Sequence, residues 1–180
     1  MLSPTDQGFG VPKNPAESVK WCRKAAGSGF PHAQRALAHC YRLGKGVHAD
    51  EAQFLKWLQL AALQGEPTAE CEMGLAYLHG QGVTKQPEEA LKWFRRSAKH
   101  GLPAGQNSLG AAYQNALAVE RDFIEAYKWY WLAAAQGDET AQANLPKLAR
   151  RMTLDQIVEA KKRAETFKPK KPPTQAGRSL

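Results

Sequence analysis

An all-α chain of stacked helix hairpins is what the sequence predicts, on three observations. Tryptophans recur at Trp21, Trp57, Trp93 and Trp129, each 36 residues after the last. Apolar residues within each period follow helical rather than alternating spacing. A Gly-x-Gly-Val element separates the two helical stretches of a period. Further positions obey the same period: Ala26, Ala62, Ala98 and Ala134; Gly29, Gly65, Gly101 and Gly137; Leu37, Met73, Leu109 and Leu145; Tyr41, Tyr77 and Tyr113. Internal repetition of this length marks a solenoid or an array.

An amino-terminal helix is expected from about Pro15 to Gly27. It lacks a pairing helix of its own and should expose apolar surface around Val19 and Trp21, which invites another copy of the chain. The chain starts within a repeat, because Gly8–Val11 stands where the inter-helix loop stands elsewhere. Residues 1–12 are therefore expected to be a partial repeat, either trimmed or irregular over Met1–Gln7. Repeats then occupy 13–150. In the first complete one, Ala33, Leu37, Ala38 and Tyr41 give one face of a helix from about Pro31 to Leu43. Phe54, Trp57, Leu58, Ala61 and Ala62 give the inner face of a second, from about Asp50 to Gln64. Gly65 ends that helix, as glycine does where a left-handed residue follows the last turn. In the loops Gly44–Val47 and Gly80–Val83, two glycines permit positive φ and the valine plugs the gap between helices. Ala38, Gly74 and Gly110 are small enough to let paired helices approach closely. The third loop reads Ala116-Leu117-Ala118-Val119, so its turn must differ or be strained. Pro146 and Ala149 break the pattern of the last repeat and predict a short or kinked helix. Thr153 with Gln156 reads as a helix start. The stripe Leu154, Ile157, Val158, Lys161, Ala164, Phe167 predicts a capping helix over 151–167, of the kind that covers the last face of a solenoid. Residues 168–180 are rich in proline and charge and are expected to form a disordered basic tail.

These residues, A-x-x-x-L-[AG]-x-x-Y, then G-x-G-V, then W with A-A and G behind it, resemble the Sel-1-like repeat family, a branch of the tetratricopeptide-type solenoids. The resemblance spans about residues 8–150. It implies a right-handed superhelical solenoid of antiparallel helix pairs that acts as a non-catalytic protein–protein interaction module. It also makes a bacterial source plausible, with adaptor, envelope-assembly or toxin-neutralising roles. The cysteine-rich subgroup of that family carries cysteine pairs on each helix pair; this chain does not.

Composition is consistent with that reading. The 180 residues are 43% hydrophobic and 23% charged, near globular averages. No apolar run approaches the roughly 20 residues of a membrane span, and no secretory signal is visible, so localisation stays open. Ten of the 25 basic residues but only three of the 17 acidic ones fall after Pro146, so the carboxyl end carries +7 of the net +8. Without aromatic residues interleaved, Lys161–Arg163 and the tail argue against nucleic-acid binding.

Nothing in the sequence points to an enzyme. His32 and His39, seven apart on one helix, are about 10 Å apart, too far to hold one ion unaided. His48, His79 and His100 read as surface residues near helix ends, and Glu88-Glu89 as a helix start. Cys22, Cys40 and Cys71 are not spaced as zinc couples; Cys22 and Cys40 align with packing positions. The Gly-x-Gly elements follow no strand, which removes a nucleotide-binding reading. No cofactor and no metal are expected. By analogy with tetratricopeptide geometry, the first helix of each pair lines a concave face. Its projecting residues are His32, Arg35, His39 and Arg42, then Thr68, Cys71, Leu75 and Leu78, then Asn107, Ala111 and Gln114, then Lys147 and Arg150. A groove with basic ends and leucines at its middle suits an acidic peptide segment of a partner protein.

Overall fold

A computed structural model describes residues 14–171 of the chain. Among these residues there are nine α-helices and no strand, an all-α helical solenoid of TPR-like repeats: α1 (Pro15–Gly27), α2 (Pro31–Leu43), α3 (Glu51–Leu63), α4 (Pro67–His79), α5 (Pro87–Lys99), α6 (Pro103–Asn115), α7 (Phe123–Ala135), α8 (Glu139–Ala149) and α9 (Leu154–Glu165). The chain divides into two compact units, Met1–Leu60 and Ala61–Leu180. The partial repeat expected over 1–12 lies outside the described residues.

Helix boundaries follow local chemistry. Five helices place proline in the first turn, where its missing N–H costs nothing. Asp50, Glu66, Asp122 and Asp138 accept a hydrogen bond from the backbone N–H three residues on, and Asn14 from the one two on. Gly44 and Gly80 end α2 and α4 in the left-handed region. The third loop resolves the alternative posed by its sequence: it keeps the same turn and is strained. Ala116 (φ 56°) and Ala118 (φ 51°) hold left-handed conformations that glycine holds in the other copies. A side chain there costs about 1 kcal/mol per residue. Part of that returns as unfolded-state entropy when glycine is installed. Thermal unfolding of Ala116→Gly/Ala118→Gly is therefore expected to show a gain of about 1 kcal/mol in stability.

In the first unit, Val19, Ala26 and Leu37 form a core between α1 and α2, with Tyr41, Val47 and Trp57 packed against it. Arg23 Nη2 donates to Tyr41 Oη (3.0 Å), and Gln34 Nε2 donates to Ala26 O (3.2 Å). Here half of the expectation for α1 needs correction: Val19 is buried in that core, while Trp21 is exposed, at 60%, as expected. Trp57 and Trp129 show why: each rests on a cluster built from the hairpin before it. The residues that precede Asn14 lie outside the described ones.

In the second unit, α4 packs with α5, α5 with α6, α6 with α7, and α7 with both α8 and α9. Trp93 and Trp129, at the position of Trp57 in later periods, are buried. Close approach depends on missing side chains: a Cβ at Gly74 would lie 2.5–2.6 Å from the Phe94 ring, and one at Gly110 2.8–2.9 Å from Tyr130. Helix α8, with Pro146 inside, runs 11 residues where its counterparts run 13. Thr153 and Gln156 form a capping box at the start of α9. Of the α9 stripe, only part faces inward. Ala160 and Ala164 are buried with Ile157 packed beside Ala160's cluster, while Leu154 (75%) and Val158 (58%) are exposed. The small alanines let α9 lie close to α7, where Arg163 Nη1 bonds Glu125 Oε1 at 3.0 Å. The stretch from Lys168 is also not wholly unpacked: Lys170 N donates to Lys99 O at 2.8 Å, and Pro169 lies against Gly101. Beyond Lys171 nothing is described.

Candidate functional site

The residues expected to line a binding face sit on the first helices of the repeats, and the structure separates them into three kinds. In the first unit, His32 and Arg42 are exposed and Arg35 and His39 half-buried. Arg42 is not a freely projecting charge. Its guanidinium lies 5.2 Å over the Phe54 ring, and its Nη2 is 2.9 Å from His39 Nδ1. His39 in turn tilts against the same ring at 6.3 Å. Phe54 is itself buried, so a cation and an imidazole converge on the edge of an apolar core, where a partly desolvated cation–π contact is worth about 1 kcal/mol.

In the second unit, Leu75 is 38% exposed and Arg150 is exposed, as a lining role requires. Leu78 is half-buried and packs against the core cluster of Cys71, Leu91, Phe94 and Leu109. Cys71 corrects the expectation: at 5% exposure it belongs to that cluster and lines nothing. Burial pushes its thiol up to about 11, so at neutral pH it is a small apolar residue rather than a nucleophile. The Cys40 thiol is raised too, by burial first and by the neighbouring Cys22 second.

Asn107 and Gln114 stand two turns apart on α6 and are half-buried. Asn107 Oδ1 and Gln114 Oε1 are buried atoms without a hydrogen-bond partner among the described residues. Such acceptors cost about 1–3 kcal/mol each when left unmade. The two acceptors share one helix face about 10 Å apart by helical rise, and both are shut off from solvent, so an incoming chain reaches them only when the side chains turn outward.

A polar layer that no motif announced runs at the 36-residue period. Positions 34, 70, 106 and 142 read Gln, Glu, Gln, Gln. Gln106 Nε2 donates to Ala98 O, Gln142 Nε2 to Ala134 O, and Gln136 Nε2 to Gln106 Oε1. Glu70 cannot donate. It is fully buried, and Arg96 Nε (2.9 Å) and His100 Nδ1 (2.7 Å) hold its carboxylate. Arg96 Nη2 then makes the bond to Ala62 O that a glutamine would have made (3.1 Å). Within this Glu–His–Arg group Glu70 is fully buried and His100 nearly so, while the Arg96 side chain reaches the surface. Among the described residues no three His, Cys, Asp or Glu side chains could share a metal ion, and no helix is long and apolar enough to cross a membrane. A surface hollow on α1, lined by Asn14, Glu17, Lys20, Trp21 and Lys24, contains none of the expected face residues.

Comparison with known proteins agrees with this architecture. The Sel1 repeat model matches residues 5–30, 31–66, 67–102 and 103–138. The crystal structure of a Sel1 repeat protein from Oxalobacter formigenes is similar at 37% identity and a TM-score of 0.73, over 87% of this chain and 66% of that one. A protective antigen present in uropathogenic Escherichia coli strains, with an SLR fold, is similar at 27% identity and a TM-score of 0.63, over 89% of this chain and 42% of that one. The chain thus spans less than two thirds of the length of either. No curated protein matches it.

Proposed function

Since the chain belongs to the Sel1 repeat family, whose members are in general protein-interaction modules and non-catalytic scaffolds, we propose that it binds a partner protein through the first-helix faces of its repeats. Membership of that family carries this reading; on α6, the amides of Asn107 and Gln114 pair with the backbone of an extended peptide once their half-buried side chains turn outward. Leu75, exposed on α4 beside α6, supplies an apolar contact. In the second unit, Lys147 on α8 and Arg150 at its C-cap are exposed and give the face a basic end that favours an acidic segment. Recognition is the shared function; an adaptor, a self-associating scaffold and a toxin-neutralising partner would each use it.

The test is selection from a displayed random-peptide library on the immobilised full chain. Sequences with Asp or Glu flanking a large aliphatic residue are expected to be enriched. A selected peptide should bind Asn107→Ala/Gln114→Ala about tenfold more weakly, the effect of losing one or two net hydrogen bonds. Unchanged affinity in that variant and in Arg150→Glu would remove the face from consideration.

A further inference from the structure

We propose that the surface formed by the end of α5, Gly101 and Trp129 is a docking site for a non-helical segment carrying an aromatic residue two positions before a proline. The chain's own Phe167–Lys170 fills this site in cis, and a partner presenting the same pattern displaces it. This surface is separate from the first-helix faces, so the inference does not rest on the reading above.

Within four residues the segment makes three contacts of different kinds. Phe167 meets Trp129 edge to face, with ring centroids 5.2 Å apart and planes at 74°. Pro169 lies on Gly101 so closely that a Cβ there would come within 3.1–3.2 Å of its ring. Lys170 N donates to Lys99 O at 2.8 Å, a carbonyl of the last turn of α5 that has no partner within its own helix. Each contact uses a ring surface or the backbone. Residues Lys168 to Lys171 are exposed, so the site reads a pattern of ring, proline and backbone N–H rather than the particular lysines. Extended proline-bearing segments on aromatic surfaces are a recurring recognition mode because little chain entropy is lost on docking.

The preceding layer differs at the ring. Thirty-six residues before Trp129 stands Trp93, and there the Arg96 guanidinium, one turn further along α5, lies 4.7 Å over the indole. The residue 36 positions after Arg96 is Leu132, which carries no cation. In one layer a side chain of the same helix covers the ring; in the next the ring meets a segment of backbone.

The experiment uses the full chain and a labelled synthetic peptide with the sequence of residues 166–171. Phe167→Ala removes the ring contact and Lys170→Pro the backbone donor, each opening the site. Binding is followed by anisotropy and by the indole N–H resonance of Trp129, assigned with Trp129→Phe. Both variants are expected to bind the peptide about tenfold or more tightly than wild type, which matches loss of one such contact in cis. The Trp129 resonance should move in both, and a peptide with alanine for its phenylalanine or its proline should leave it still. The proposal is overturned if Trp129 stays unperturbed in both folded variants, or if wild type and variants bind equally, which places the peptide elsewhere. Should Phe167→Ala not fold, Lys170→Pro carries the test alone. Unfolding of both overturns the proposal as well, because an exchangeable segment cannot be indispensable to the fold.

Discussion

Arg96→Leu is expected to lower the stability of the second unit by about 3 kcal/mol, read as a drop in the midpoint of urea unfolding. Removing one partner of a buried ion pair typically costs 3–5 kcal/mol because the other charge stays buried and uncompensated. Here Glu70 is fully buried, and Arg96 supplies both a charge-assisted bond to it and the bond to Ala62 O. The Arg96 side chain is 42% exposed, so water can enter the gap it leaves, which places the cost toward the lower end. The repeat itself offers the control. In the next layer the corresponding positions are Gln106, Leu132 and Gln136. Glu70→Gln/Arg96→Leu/His100→Gln rebuilds that arrangement, with the introduced amide donating to Ala62 O, and should recover most of the loss. A triple variant as unstable as Arg96→Leu would show that leucine's shape, and not the orphaned carboxylate, causes the damage.

Gly105→Ala should cost about 3 kcal/mol, by the same measurement. Overpacking a filled interior ordinarily costs about 1–3 kcal/mol. At Gly105 the added methyl would overlap the hydroxyl of Ser97, lie 2.7 Å from its Cβ and sit 3.0 Å from the backbone N of Ala98. Ser97 cannot swing aside freely: it is fully buried, and its Oγ donates to Pro67 O at 2.8 Å. The backbone of α5 cannot give either, because α5 is pinned between α4 and α6. The cost therefore falls at the upper end for a single methyl. Ser97→Gly in the same chain should relieve most of it, at the loss of one hydrogen bond.

What the sequence made legible was everything enforced by repetition. The bounds of α1, α2 and α3 came within a residue, because proline, aspartate and glycine fix the ends locally; the capping helix, expected from 151, starts three residues later at Leu154. Small residues at Gly74 and Gly110 were recognised as points of close approach, and the ring contacts there agree. Trp21 departed from its row because burial depends on what a residue rests upon, not on its own identity. Cys71 departed because two positions on a helix that differ by 100° can share a spacing pattern yet face core and surface. The Glu70–Arg96–His100 group went unseen although its period was in plain view: a polar residue at a repeating position reads as surface until its burial is known. The contact of Phe167, Pro169 and Lys170 could not be read from composition, since a segment rich in lysine and proline is held by its rings and its backbone. The role of the first-helix faces depends on orientation and unmet hydrogen bonds, neither of which a one-dimensional pattern contains.

The ionic corner has a consequence for how such a chain can change over generations. Glu70, Arg96 and His100 all lie inside residues 67–102, one matched repeat. Loss of Arg96 before Glu70 leaves the buried carboxylate without its charged partner, so the order of point substitutions between the ionic and amide solutions matters. Duplicating or exchanging the whole 36-residue block carries all three together. The repeat boundary thus encloses the whole charged set as one transferable unit.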